Sequence, residues 1–295
     1  MSVDLPQVSP TASVFSTYIN PECPVCGAEA GTPWVHFETL GFDRCGGCGS
    51  VFRSFITVDA HPGNALYEGA YHTRKRGKRW EHRVRKARRQ ILGAASFGEV
   101  QSYLDIGCSV GFMVEAGRRL GMRSAGTDVS RNAVETAQAR GLDVREGSLE
   151  ALPFEDGSFD LVSMRHVLEH TRQPRVALAE LRRVLSAGGL ALIAVPDLHY
   201  WKGSVQRRTY RYFRPDDLGI QHDVYYTEDS LAALLEREGF EVLARSKAFR
   251  RPRFASRSPL HGAWELLRTG AYGVWCGLGR ALRLRRELWF IVRKR

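Results

Sequence analysis

The chain has 295 residues, 43% hydrophobic and 25% charged, with a formal net charge of +11. That length carries one large α/β unit, a small appendage and an ample core, and the composition excludes disordered and fibrous classes. No stretch of eighteen apolar residues and no basic start followed by an apolar block occurs, so a cytoplasmic protein without a signal peptide or spanning helix is expected. The charge is uneven. Arg74 to Arg89 holds ten basic residues against Glu81, Arg245 to Arg295 holds fourteen against Glu265 and Glu287, and the remainder is net acidic. Basic segments beside an acidic core suit RNA, an anionic membrane surface or an acidic substrate, or simply a solvated helix face.

Residues 1–20 are polar with Pro6 and Pro10 and lack the periodicity of a packed element, so a loose tail is expected. Residues 21–54 carry Cys23-Pro-Val-Cys26-Gly and, eighteen residues on, Cys45-Gly-Gly-Cys48-Gly. Two tight C-x2-C knuckles at that spacing close a tetrahedral thiolate site around Zn²⁺. Gly27 and Gly49 follow the knuckles, where positive φ turns the backbone toward the sulfurs. Disulfides compete, but a cytoplasmic setting disfavours them. Four sulfur ligands leave no open position, so the zinc is expected to be structural and to supply folding energy to a ribbon too short for its own core.

Residues 55–98 read as a basic helical connector with Tyr67, Tyr71, Trp80, Val84, Ile91 and Leu92 among Arg and Lys. Its aromatics are expected to face the main unit as packing residues, its cations to face outward, and the connector to lie over the nucleotide site. From residue 99 strands and helices alternate: Ser102 to Ile106, a helix from Phe112 to Leu120, Ser124 to Asp128, a helix from Asn132 to Arg140, then Val144 to Glu146. Such alternation predicts a parallel sheet with right-handed crossovers. The turn Gly107-Cys-Ser-Val-Gly111 lies between the first strand and its helix, and Asp128 ends the next strand roughly 20 residues later. Glycines there let backbone approach a ligand, the helix start offers free N–H groups, and the carboxylate meets ribose hydroxyls.

Asp105 inside the first strand, followed by Gly-Cys-Ser-Val-Gly, resembles motif I of class I S-adenosylmethionine-dependent methyltransferases; Ser109 stands where that family more often has glycine. The later run Leu-Pro-Phe, then Asp-Gly-Ser-Phe-Asp160, is similar to the family's sequence between its third and fourth strands. So is Arg-Val-Leu185 before Gly188-Gly189 and a strand from Leu190 to Val195 ending in Pro196. The resemblance implies a Rossmann-like α/β methyltransferase fold over 99–295, with a mostly parallel seven-stranded sheet. Strand six starts at Gly239 and the antiparallel last strand is Glu287 to Arg293. It also implies S-adenosylmethionine against Asp105, Gly107, Cys108, Gly111 and Phe112 on the first turn, Asp128 and Val129 on the second, and Ser148, Leu149 and Arg165 beyond. Asp105 would anchor the amino acid end by resemblance, Asp128 the ribose by position, and Ser148 would accept from the adenine amino group where the family usually has an acid.

Strand four, Asp160 to Met164, runs into His166-Val-Leu-Glu169-His170. The string matches the H-x-x-E-H protease pattern, but it leaves a parallel strand at its carboxyl end, where α/β sheets place ligands, rather than riding a metal-facing helix. A similar sequence in the methyltransferase family lies between cofactor methyl and acceptor, and His166, His170 and His222 are the candidate general bases. In ubiquinone-pathway relatives an acid and a Glu-His pair hold a divalent ion; His166 takes the first acidic position here, so no catalytic metal is expected. Residues 197–227, rich in aromatics and arginine, are expected to cap the acceptor pocket, and 249–285 to form an insertion packed on the main unit. The expected function is O-methylation of a small sugar, aromatic or lipid-linked acceptor. The alternatives are an RNA base methyltransferase that tracks phosphates through its basic helix, a noncatalytic membrane or protein adaptor, and an NAD-binding oxidoreductase.

Overall fold

The computed structural model describes residues 18–29, 31–36, 40–56, 79–198, 222–245 and 287–295. The tail through residue 17, connector residues 57–78, cap residues 199–221 and the insertion 246–286 lie outside the described residues.

The large unit is a seven-stranded sheet. Helix α1 (Arg79–Ala95) precedes β5 (Ser102–Ile106), α2 (Phe112–Arg118), β6 (Arg123–Asp128), α3 (Arg131–Gln138) and β7 (Asp143–Glu146). After them come β8 (Phe159–Arg165), a single turn at Leu168–His170, α4 (Pro174–Val184), β9 (Leu185–Pro196), α5 (Glu228–Arg237), β11 (Phe240–Arg245) and β12 (Glu287–Lys294). The order is β11-β12-β9-β8-β5-β6-β7. Neighbours from β9 to β7 run parallel, while β12 is antiparallel to both β9 and β11. This is the expected sheet with its antiparallel last strand. Every residue of β5 is buried, as a strand covered on both faces requires.

Two details depart from the sequence reading. The Gly188-Gly189 pair lies inside β9 rather than before it: Gly188 takes φ 68°, and the register against β8 shifts between Phe159 and Leu161. Glycine's freedom at positive φ lets one strand absorb the irregularity as a bulge. In the connector helix Trp80 packs against the main unit as expected, with Tyr67 and Tyr71 outside the described residues, but Leu92 of the same pattern is exposed and the aliphatics supply most of the contact. Val84, Ala87, Ile91 and Ala94 recur at helical spacing against Tyr103, Leu161, Leu192 and Ile291, whereas Trp80 is half-buried beneath Arg140. Arg85, Lys86, Arg88 and Arg89 are exposed on the far side.

The cysteine-bearing unit is a second sheet of β1 (Tyr18–Ile19), β2 (Thr32–His36), β3 (Leu40–Arg44) and β4 (Val51–Ile56), ordered β1-β4-β3-β2. It does not stand apart. The two-residue strand β10 (Val224–Tyr225), just before α5, pairs antiparallel with β4, Val224 opposite Phe52 and Tyr225 opposite Val51. One apolar cluster runs from Cys23, Val25, Cys45 and Phe52 through Val224, Tyr226 and Leu231 to Leu168 and Ile193. Arg237 on α5 donates to the Cys26 carbonyl at 2.8 Å.

A shared core unfolds as one body. Phe52→Ala is expected to cost about 3–5 kcal/mol and to lower the melting temperature by roughly 6–10 °C. Near-ultraviolet circular dichroism and zinc release should fall together in the wild type and shift together in the variant.

Candidate active site and metal centre

The chemistry collects at the carboxyl edge of the large sheet. The β5 turn opens with Gly107 at φ 68°, whose missing Cβ would meet the Val167 side chain at 2.3 Å, so the glycine turn and the loop after β8 are in contact. Ser109, where glycine is more usual, sits at φ 51°. An L-residue there costs about 1 kcal/mol, and the Asp128 carboxylate holds it by accepting from Ser109 N at 2.7 Å and from Ser130 N at 3.0 Å. Asp105 is buried and accepts from the Ser163 hydroxyl, which also bonds Tyr103 Oη at 2.5 Å. Burial pushes Asp105 up to about 7, and a bound cation is the group that would bring it back to the carboxylate.

Across the edge, three histidines surround Glu169. His166, at φ 55°, places Nδ1 3.3 Å from Glu169 Oε1 and Nε2 3.1 Å from Glu287 Oε1. His170 Nε2 and His222 Nε2 each lie 4.0 Å from the same Glu169 oxygen, and the two rings meet edge to face at 4.8 Å. Glu169 is 1% exposed, and its Oε2 has no hydrogen-bond partner among the described residues. Burial is the largest influence on Glu169 and would raise it, but the His166 hydrogen bond and the charge interactions with His170, His222 and His166 together outweigh it and hold the carboxyl below the usual range. Burial likewise works against His166, yet its two carboxylate partners raise it to about 9; His222, enclosed without such a bond, is pushed down by burial to about 4. The ligand atoms of Glu169, His170 and His222 fall within 4.8 Å of one another.

Residues 104–193 match the family described as "Methyltransferase domain". Over 161 residues the chain is 30% identical to a probable S-adenosylmethionine-dependent methyltransferase of Mycolicibacterium smegmatis, covering 54% of this chain and 59% of that protein. Over 98 residues it is 35% identical to the ubiquinone biosynthesis O-methyltransferase of Parvibaculum lavamentivorans, 31% of this chain and 39% of the relative. Residues 104–193 carry a methyltransferase domain. The chain spans 33 to 59% of the length of the first few curated relatives it matches. Its fold is shared with a solved S-adenosylmethionine-dependent methyltransferase of Mesorhizobium loti, TM-score 0.50 at 16% identity, over 72% of this chain and all of that one. It is also shared with a Pyrococcus horikoshii protein, TM-score 0.52 at 14% identity, over 79% and 99%.

Within the methyltransferase domain the residue types fit the cofactor: buried Asp105 for an ammonium and Asp128 for ribose hydroxyls. Gly107, Gly111, Phe112 and Val129 lie on the two turns that carry those acids. The thiol of Cys108 faces inward with Val114 and Val134, and Gly111 is held by packing, since a Cβ there would meet Leu142 at 2.5 Å. Ser148 is half-buried and Leu149 buried on the segment after β7. Arg165 lies 4.8 Å over the Trp289 ring, its charge close enough to favour the ionised Asp105. Sequence reasoning missed Ser163, Glu287 and Asp223, the last joined to Arg53 of the ribbon by a 3.1 Å ion pair. Arg53 is buried.

The four cysteines gather at one place, where they could hold a metal ion. Cys23 and Cys48 sulfurs lie 3.7 Å apart, Cys26 and Cys45 3.4 Å, against about 3.8 Å for the edge of a tetrahedron with 2.3 Å zinc–sulfur bonds. These separations are well beyond the roughly 2.05 Å of a disulfide, and all four thiols are free. Gly27 and Gly49 both take φ 74°, donating back to Cys23 O and Cys45 O at 2.8 and 3.0 Å. The donor set fits a structural Zn²⁺.

Three outcomes follow. Metal analysis of the purified chain should find one zinc, lost in Cys45→Ser. Asp128→Ala should weaken S-adenosylmethionine binding about 10- to 100-fold by calorimetry. His166 is raised in the folded state, so its stabilisation is complete below about pH 6.5 and is lost as pH rises through about 9. The urea midpoint should therefore fall between pH 6.5 and 9 in the wild type and fall less in His166→Gln, where only the remainder of the Asp105 titration is left.

Proposed function

We propose that this chain transfers the methyl group of S-adenosylmethionine to a hydroxyl of a small sugar, aromatic or lipid-linked acceptor, with His222 as the general base. When bound, the cofactor supplies an activated sulfonium methyl; the chain's task is to align the acceptor and take its proton. The observation that carries this reading is the histidine cluster set against the glycine turn at one sheet edge. His222 supports the base role because burial keeps its ring neutral at physiological pH, so a ring nitrogen carries the lone pair that an acceptor proton needs, while the same burial lowers its basicity. His166, raised to about 9 between two glutamates, supports a charged role that holds Glu169 in place. The named O-methyltransferase relative supports oxygen as the acceptor atom.

The exposed cations of α1 favour a second reading, RNA methylation guided by phosphate contacts. Incubation with methyl-labelled S-adenosylmethionine and an extract of the source organism, followed by separation of RNA, lipid and small soluble fractions, decides between them. The expected label is in the small or lipid-linked fraction, with transfer lowered about 10²- to 10⁴-fold in His222→Gln while cofactor affinity stays within about twofold. Nuclease-sensitive label would replace the small-molecule reading, and full transfer by His222→Gln would remove the base assignment.

A further inference from the structure

We propose that the zinc ribbon is a working part of the acceptor site, with Arg53 and Asp223 as the positioning residues that hold His222 against Glu169 and His170. The inference rests on the reading of the histidine cluster given above. His222 immediately precedes Asp223, and Asp223 is fixed on both sides by main-chain bonds. Its N–H donates to the Glu169 carbonyl at 2.7 Å, and its carbonyl accepts from Arg53 N at 2.8 Å. One bond therefore goes to the histidine-bearing loop and the other to the ribbon strand β4. The side chains repeat the link: Arg53 Nη1 lies 3.1 Å from Asp223 Oδ1, with side-chain exposures of 0% and 2%, and Arg172 Nε approaches the same oxygen at 3.5 Å. A ring contact adds a third connection. Trp34 of β2 lies 6.4 Å from Tyr225, and Tyr225 lies 5.2 Å from His222.

Holding two segments together does not require a buried charge pair. Apolar residues of similar volume close a core as well or better, whereas a charge pair tolerates only the register in which both partners meet. Here that register is the pairing of β4 with β10, and β4 starts at Val51, three residues after the metal-binding Cys48. Metal, strand and histidine thus form one short chain of contacts. A shift of about 1 Å in a reacting group can cost roughly 100-fold in rate.

The test uses the full-length, zinc-loaded chain with ¹⁵N-labelled histidine. In Arg53→Met the His222 ring resonances should move and labelled methyl transfer should fall about 100-fold, while zinc content and S-adenosylmethionine affinity stay within about twofold. Arg53→Lys, which restores a cation opposite Asp223, should recover at least about tenfold of the loss. Unchanged His222 resonances and unchanged transfer in Arg53→Met would overturn the proposal and leave the ribbon as a fold element alone. If Arg53→Met fails to fold or to hold zinc, Asp223→Asn, nearly isosteric, is measured against the same two outcomes. If the wild type transfers no label, the proposed reaction fails, and the His222 resonances still decide the positioning claim.

Discussion

Because β5, β6 and β8 run parallel, all three leave the large sheet at one edge, and the placement of every chemical group there follows from that. The glycine turn after β5, the acid that ends β6 and the histidine loop after β8 are far apart in sequence but neighbours at this edge. Contact between the turn and the loop is direct, because Gly107 leaves room for Val167. A side chain at Gly107 would force the glycine turn and the histidine loop apart. Two residues at the edge, Ser109 and His166, adopt positive φ without being glycine, and such strain gathers where a site over-determines its backbone.

The same edge explains how three histidines can differ. Glu169 offers one buried oxygen to all of them, but only His166 comes within hydrogen-bonding distance and gains a second carboxylate from β12. The other two approach no closer than 4.0 Å. Burial then dominates for His222, and a charge-holding histidine sits beside a neutral one. Differences of this kind let a single fold hold one proton and take another at the same pH.

Much of this was legible in the chain. The C-x2-C pairs, the Gly107 to Gly111 turn with Asp128 behind it, and the run from strand to helix are local patterns whose spacing fixes their geometry. The joining of the ribbon to the methyltransferase domain was not legible: Val224–Tyr225 is two residues long and has no period to read. Arg53 escaped notice because Val51 to Ser54 is buried throughout, so no alternation marks an inward side chain. The ranking of the histidines depends on Glu287, 121 residues from His166. Gly188-Gly189 read as a break because a glycine pair ends a helix and interrupts a strand equally well; only the register with β8 distinguishes them.

The central claim is that one sheet edge holds cofactor and acceptor chemistry together, with the ribbon closing the acceptor side. It is tested most directly by a crystal structure of the full chain with zinc and S-adenosylhomocysteine. The predicted result has the ribose on Asp128, the amino group at Asp105, the sulfur facing the Glu169–His222 cluster, and a tetrahedral zinc on Cys23, Cys26, Cys45 and Cys48. A nucleoside bound elsewhere, or a sulfur turned away from the cluster, would contradict the account.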